Sequence, residues 1–197
     1  GIAFMYAPIY HSAMKYVAKT RKEIGIRTVF NLIGPLVNPA SAKYQLIGVY
    51  SEALLKPIAK VLRNLGSIRA MIVHGADSMD EITVTGKTHV AELKEGVVKK
   101  YQIDPLEFGF NISSLEHLQG GKNAKENAEI TLSILNGEDE GPKRDIAVFN
   151  AAAAILVAKG AENLKDAIEI ASNSIVSGHA LKKLKKLSEF TKANSIK

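Results

Sequence analysis

No cysteine occurs among the 197 residues. Its absence excludes a disulfide-stapled secreted module, a zinc ribbon and a thiol enzyme. Long apolar runs are missing too. The longest, 151–158 (AAAAILVA), falls far short of the ~20 residues a membrane helix needs. No basic region precedes an apolar stretch near the start, so nothing reads as a signal peptide. A soluble cytoplasmic protein is the expectation. Several chemical motifs are lacking: there is no GxGxxG, no HExxH and no GxSxG. The GKT at 86–88 is not a phosphate-binding Walker loop, because its first glycine would fall at Glu81. A basic groove spread over the fold is also not expected. The formal charge is +6, but residues 181–197 hold six lysines and one glutamate, a net +5, leaving +1 for the rest. That tail could touch RNA or a membrane, but a solvated lysine-rich helix end, favourable to the helix dipole, is the better account.

What is present is ordinary globular composition, with 46% hydrophobic and 23% charged residues, enough for one domain or somewhat more. Gly1 is followed at once by an apolar, strand-like IAFMYAP with no initiator Met, which reads as a fragment opening inside a strand. A helix follows, with His11-Ser12 at its start, Met14, Val17, Ala18 and Ile24 at helical spacing, and Gly25 as its stop. The segment 44–50 (YQLIGVY) predicts a strand, 54–65 a helix stopped by Gly66, and 69–74 (RAMIVH) a second strand. That strand–helix–strand order is the rhythm of a parallel sheet. Shorter strands are expected at 88–93 and 97–103. The last third predicts helices over 124–135 and 145–159, the latter apolar nearly all round and therefore fully buried. A final helix starts at Asn163 with Asp166 three residues on, a box-like start, and turns Leu164, Ile168, Ala171 and Ile175 inward.

Two groups could carry chemistry. Arg21 lies three and four positions after Ala18 and Val17 and seven after Met14, so it shares the inward helix face. A guanidinium there needs an anion; the partner is a bound carboxylate or phosphate, or a core acidic side chain. Asp77, Asp80 and Glu81 follow the strand RAMIVH. In open α/β sheets ligands bind beyond the carboxyl ends of strands, and hard-oxygen clusters hold Mg²⁺ with help from substrate phosphates. A solvated acidic turn is the alternative. His11, beside Tyr10, suits a helix cap.

Beyond this, the run FMYAPIYHSAMKYVAKTRKEIGIRTVFNLIGPLVNPA, with YQLIGVY, IVHGADSMDEIT, FGF, NAEITLSILNG and RDIAVFNAAAAIL, resembles the anthranilate phosphoribosyltransferase family over nearly the whole chain. The resemblance is to the C-terminal part of that family. It implies an α/β fold: the C-terminal part of a nucleoside phosphorylase/phosphoribosyltransferase catalytic domain, a mostly parallel sheet flanked by helices, plus two helices of a small helical domain. Residues 1–8 would form a first strand, 9–43 the helical segment near the anthranilate site, and 44–197 the rest of the α/β domain with its basic tail. The implied reaction moves phosphoribose from phosphoribosyl pyrophosphate to the amine of anthranilate and releases pyrophosphate, in tryptophan biosynthesis. By the same resemblance Arg21 would grip the anthranilate carboxylate, with Pro8, His11, Met14 and Pro35 along the anthranilate path. Asp80 and Glu81 would hold Mg²⁺. No catalytic nucleophile or base is implied, and full-length relatives would be homodimers. The family's usual Gly-(Leu/Ile/Met) before the acidic pair is Ser78-Met79 here. The family's glycine-rich GTGGD loop is not in these residues, so the 197-residue chain alone is expected to be inactive. The competing reading is a nucleic-acid-binding relative without transferase activity. A pyrimidine nucleoside phosphorylase of related fold is less well matched, since GIRTVFNLIGPL favours the anthranilate branch.

Overall fold

The computed structural model describes residues 1–5, 10, 23, 25, 34 and 36–194. The chain divides into two compact units, Gly1–Ala42 and Lys43–Lys197. Arg21, His11, Pro8, Met14 and Pro35, and the helix residues Ser12, Val17, Ala18 and Ile24, lie outside the described residues.

The larger unit is built on four strands in the order β1 (Tyr44–Gly48), β2 (Arg69–Gly75), β3 (Thr88–Lys94) and β4 (Val97–Ile103). β1 and β2 are parallel, in register Tyr44↔Arg69 to Gly48↔Val73. A parallel pair needs a long crossover, and helix α1 (Leu55–Asn64) supplies it. Its apolar Leu55, Ile58, Ala59 and Leu62 recur at helical spacing and are all buried, and Gly66 beyond its end takes φ +81, as a helix stop should.

The other two pairs are antiparallel, so the described sheet is mixed rather than mostly parallel. The reason lies in the connections. β2 and β3 are joined by residues 76–87 with no helix between them. β3 and β4 are joined by Glu95-Gly96 alone, both at positive φ. Such a two-residue turn matches the twist of a hairpin and permits no crossover.

Four helices follow: α2 (Ala124–Asn136), α3 (Pro142–Val157), α4 (Leu164–Val176) and α5 (His179–Ala193). β2 is buried nearly throughout, as a central strand must be. Its Met71 and Val73 join a core with Val148, Phe149, Ala152, Ala153, Leu156 and Val157 of α3 and Ala167, Ala171 and Ile175 of α4. The alternate residues Ala70 and Ile72 are equally buried and face the opposite side, where α1 packs on β2 and β3. Phe149 stacks at tilted angles on Phe108 and Phe110, with centroids 5.6 and 4.7 Å away.

Two expectations are corrected. α3 is not buried all round: Ala147, Ala151, Ala154 and Ala158 form an exposed stripe. Alanine reads as apolar in a periodicity analysis, yet its small side chain is at home on either side of a helix. The final helix is also two helices. Asn163 caps α4 by accepting from the Asp166 N–H at 3.0 Å, while its amide donates to the Asp166 carboxylate at 2.7 Å. α4 ends at Val176, and Gly178 at φ +71 turns the chain into α5.

Candidate active site at the strand ends

The carboxyl ends of β1 and β2 lie side by side, and the loop after β2 wraps over them. Val49 N–H donates to the Val73 carbonyl at 2.9 Å, and the His74 ring, through Nδ1, donates to the Val49 carbonyl at 2.8 Å. Gly48, the last residue of β1, faces the Asp80 backbone so closely that a Cβ there would overlap the Asp80 carbonyl. Glycine is required by this close approach.

The loop is organised from within by Asp77. Its carboxylate accepts from the Met79 N–H at 3.0 Å, from the Thr83 hydroxyl at 2.7 Å and from the Thr85 hydroxyl. Partial burial works against its charge, but the hydrogen bonds outweigh that penalty and hold the carboxyl below its ordinary 3.8. Gly75 N–H donates to the Met79 carbonyl at 2.8 Å, and Ser78 sits in the left-handed region at φ +72. Thr83 N–H is taken by the Thr88 hydroxyl at 3.0 Å. Asp77 therefore leaves the acidic cluster that the sequence suggested. Thr83 and Thr85, six and eight residues on, are the signal that its acceptor lobes are already engaged.

Asp80 and Glu81 remain at the surface, both exposed. The surrounding protein partly desolvates Glu81, which raises its carboxyl above the ordinary 4.5, and the neighbouring Asp80 charge raises it further. Two carboxylates that repel one another are relieved by a cation. No group of three or more acidic, His or Cys side chains able to hold a metal occurs among the described residues. Mg²⁺ is commonly held by no more than one or two carboxylates, with water and substrate oxygens completing its shell.

Asn150 on α3 is a site residue that sequence reasoning missed. Its side-chain oxygen accepts from the Ile82 N–H at 3.0 Å, and its amide donates to the Ile82 carbonyl at 2.7 Å and to the Ile146 carbonyl at 2.9 Å. The signal was one polar residue in the apolar run IAVFNAAAAILVA, where an amide needs partners.

The acidic loop lies beyond the carboxyl ends of parallel strands, where open α/β sheets bind their ligands. The chain belongs to the glycosyl transferase family, a/b domain, which matches residues 1–181. Its similar relatives are anthranilate phosphoribosyltransferases. That of Thermoanaerobacter sp. (strain X514) is 54% identical over 190 residues, covering 96% of this chain and 56% of the relative. That of Methanobrevibacter smithii is 51% identical over 191 residues, covering 97% and 56%. The crystal structure of the Thermus thermophilus anthranilate phosphoribosyltransferase superposes with a TM-score of 0.89 at 37% identity, over 96% of this chain and 56% of that one. The Saccharomyces cerevisiae enzyme in complex with PRPP and Mg superposes with a TM-score of 0.82 at 35% identity, over 90% and 51%. The chain spans a little over half the length of the curated relatives it matches.

Proposed function

We propose that the protein bearing this chain transfers phosphoribose from phosphoribosyl pyrophosphate to anthranilate, giving N-(5-phosphoribosyl)anthranilate and pyrophosphate. The observation that carries this reading is the Asp80-Glu81 pair, held at the carboxyl ends of parallel strands in a chain at least half identical to enzymes of that name. Asp80 and Glu81 would hold Mg²⁺ on the pyrophosphate side, where the ion neutralises the charge of the departing pyrophosphate. Arg21 takes the anthranilate carboxylate, with Pro8, His11, Met14 and Pro35 lining its approach.

The transfer asks little of a side-chain nucleophile. The C1–O bond breaks with oxocarbenium character and pyrophosphate departs with its electron pair, while the anthranilate amine bonds to C1 and gives up one proton to solvent. The protein's share is position and electrostatics. Desolvation and like charge leave Glu81 poised to gain by a cation. Asp77 is already engaged and takes no part in the chemistry.

Kinetics of the full-length protein test the assignment. Arg21→Ala is expected to raise the KM for anthranilate tenfold or more, about 1.4 kcal/mol at least, with little effect on the KM for phosphoribosyl pyrophosphate. Asp80→Asn with Glu81→Gln is expected to do the reverse and to shift the Mg²⁺ dependence. Wild-type kinetics in both variants would refute the site. The 197 residues alone contain no GTGGD loop whose backbone amides could cradle phosphates; alone, they are expected to form no product. A homodimer of the full-length protein belongs to the same proposal, and sedimentation would read it directly.

A further inference from the structure

We infer that Asn150 is a positioning residue for Glu81, and that through it helix α3 sets where the second carboxylate of the acidic pair is presented. The inference rests on the proposed cation role of Asp80 and Glu81 and extends it to a residue that touches neither carboxylate.

The argument is one of rigid planes. A peptide unit is planar, so fixing its N–H fixes the Cα on its other side. The Ile82 N–H belongs to the plane that carries the Glu81 Cα and carbonyl. Asn150 Oδ1 holds that N–H at 3.0 Å, and its Nδ2 holds the next plane through the Ile82 carbonyl at 2.7 Å. The two bonds mimic a strand pairing across 68 residues of sequence. The Ile82 side chain is fully buried in the core, so backbone and side chain are anchored together. A third bond, to the Ile146 carbonyl at 2.9 Å, fixes the Asn150 amide on its own helix.

The other end of the pair is held independently. The Met79–Asp80 plane is pinned by the Gly75 N–H on the Met79 carbonyl, and the Asp80 carbonyl rests against Gly48. Asp80 is thus positioned by the sheet, while Glu81 lies between two held planes, the Asp80 carbonyl plane on the sheet side and the Ile82 N–H plane held by α3. Losing Asn150 frees the plane on the C-terminal side of Glu81 and leaves the planes that hold Asp80 in place. A cation that needs both carboxylates would lose one, whereas a merely structural asparagine would cost stability and leave cation binding alone.

The test is a Mn²⁺ titration of the full-length protein, followed by paramagnetic broadening of the amide resonances of residues 79–83. Four proteins are compared: wild type, Asn150→Ala, Asn150→Gln, and Val148→Ala as a destabilised control at a buried position two residues away on the same helix. Asn150→Ala is expected to raise the Mn²⁺ midpoint at least threefold. Asn150→Gln keeps the amide but displaces it, and should give a smaller rise; it serves if the alanine variant does not fold. Val148→Ala should leave the midpoint unchanged. An unchanged midpoint in both Asn150 variants, or an equal shift in Val148→Ala, overturns the inference. Asp80→Asn with Glu81→Gln separates the two levels. If that double variant abolishes broadening while the Asn150 variants do not move it, only the inference fails. If the double variant broadens like wild type, the cation reading fails and the inference falls with it.

Discussion

Three carboxylates within five residues, Asp77, Asp80 and Glu81, take different parts because their neighbours differ. Asp77 meets two threonine hydroxyls and a backbone N–H, and becomes the loop's internal brace. Asp77→Ala should cost roughly 2–4 kcal/mol in urea denaturation, since hydrogen bonds to a charged group are each worth about 1.5–3 kcal/mol. Its folded carboxyl lies below the ordinary 3.8, so the stability it confers is present above that value and is lost as pH falls through the folded pKa. The variant should therefore show a shallower acid transition than wild type. Glu81 carries the opposite sign. Its carboxyl is raised above 4.5 by partial desolvation and by Asp80, so it favours the folded state below 4.5 and loses that contribution as pH rises through the folded value. Without divalent cations, Glu81→Gln should melt higher than wild type at neutral pH. Added Mg²⁺ should raise the wild-type melting temperature and not that of the variant. A melting temperature of Glu81→Gln below wild type in cation-free buffer would contradict this account of its electrostatics.

Elements were legible in the sequence where local chemistry decides them. The α1 stop at Gly66, the Asn163 cap and the strand at Val97–Ile103 all stand where spacing and turn residues put them. Asn163→Ala should cost about 1 kcal/mol, as loss of an N-cap does, read from thermal melts. The direction of β3 and β4 was not legible, because it depends on a connection without a helix rather than on the strands' own residues. The exposed alanine stripe of α3 was missed because alanine carries no sidedness. The α4–α5 break turns on Gly178 at φ +71, which ends α4 as Gly66 ends α1. Asn150 was hidden for another reason: its partner, Ile82, is distant in sequence and bonds through its backbone, which no residue pattern announces. Arg69 is similar. It reaches the Glu92 carboxylate at 2.8 Å and donates to the Leu156 carbonyl at 2.6 Å, tying β2 to β3 and to the end of α3. Glu92 also accepts from the Tyr101 hydroxyl at 3.1 Å. Arg69→Met should destabilise by roughly 3 kcal/mol, because it leaves the partly buried Glu92 charge without its cation.

At the scale of the molecule, the basic charge and the acidic site are separate features. α5 packs on α2 and α4, with Leu181, Leu184 and Leu187 half-buried and Lys182, Lys183, Lys185 and Lys186 exposed. The net positive charge is thus largely the outer face of one amphipathic helix. No helix among the described residues is long and apolar enough to cross a membrane. Replacing those four lysines with glutamine should remove any salt-sensitive retention of nucleic acid and leave anthranilate consumption unchanged. Retention that survives the substitution would favour the nucleic-acid-binding reading. The acidic pair decides the central claim, and the direct measurement is the loss of anthranilate fluorescence in the full-length protein with phosphoribosyl pyrophosphate, across a Mg²⁺ titration. The account predicts consumption that requires both Mg²⁺ and phosphoribosyl pyrophosphate, and a Mg²⁺ requirement at least tenfold higher, or no consumption, in Asp80→Asn with Glu81→Gln. Absence of consumption in the wild-type protein, or the same Mg²⁺ dependence in the double variant, would contradict it.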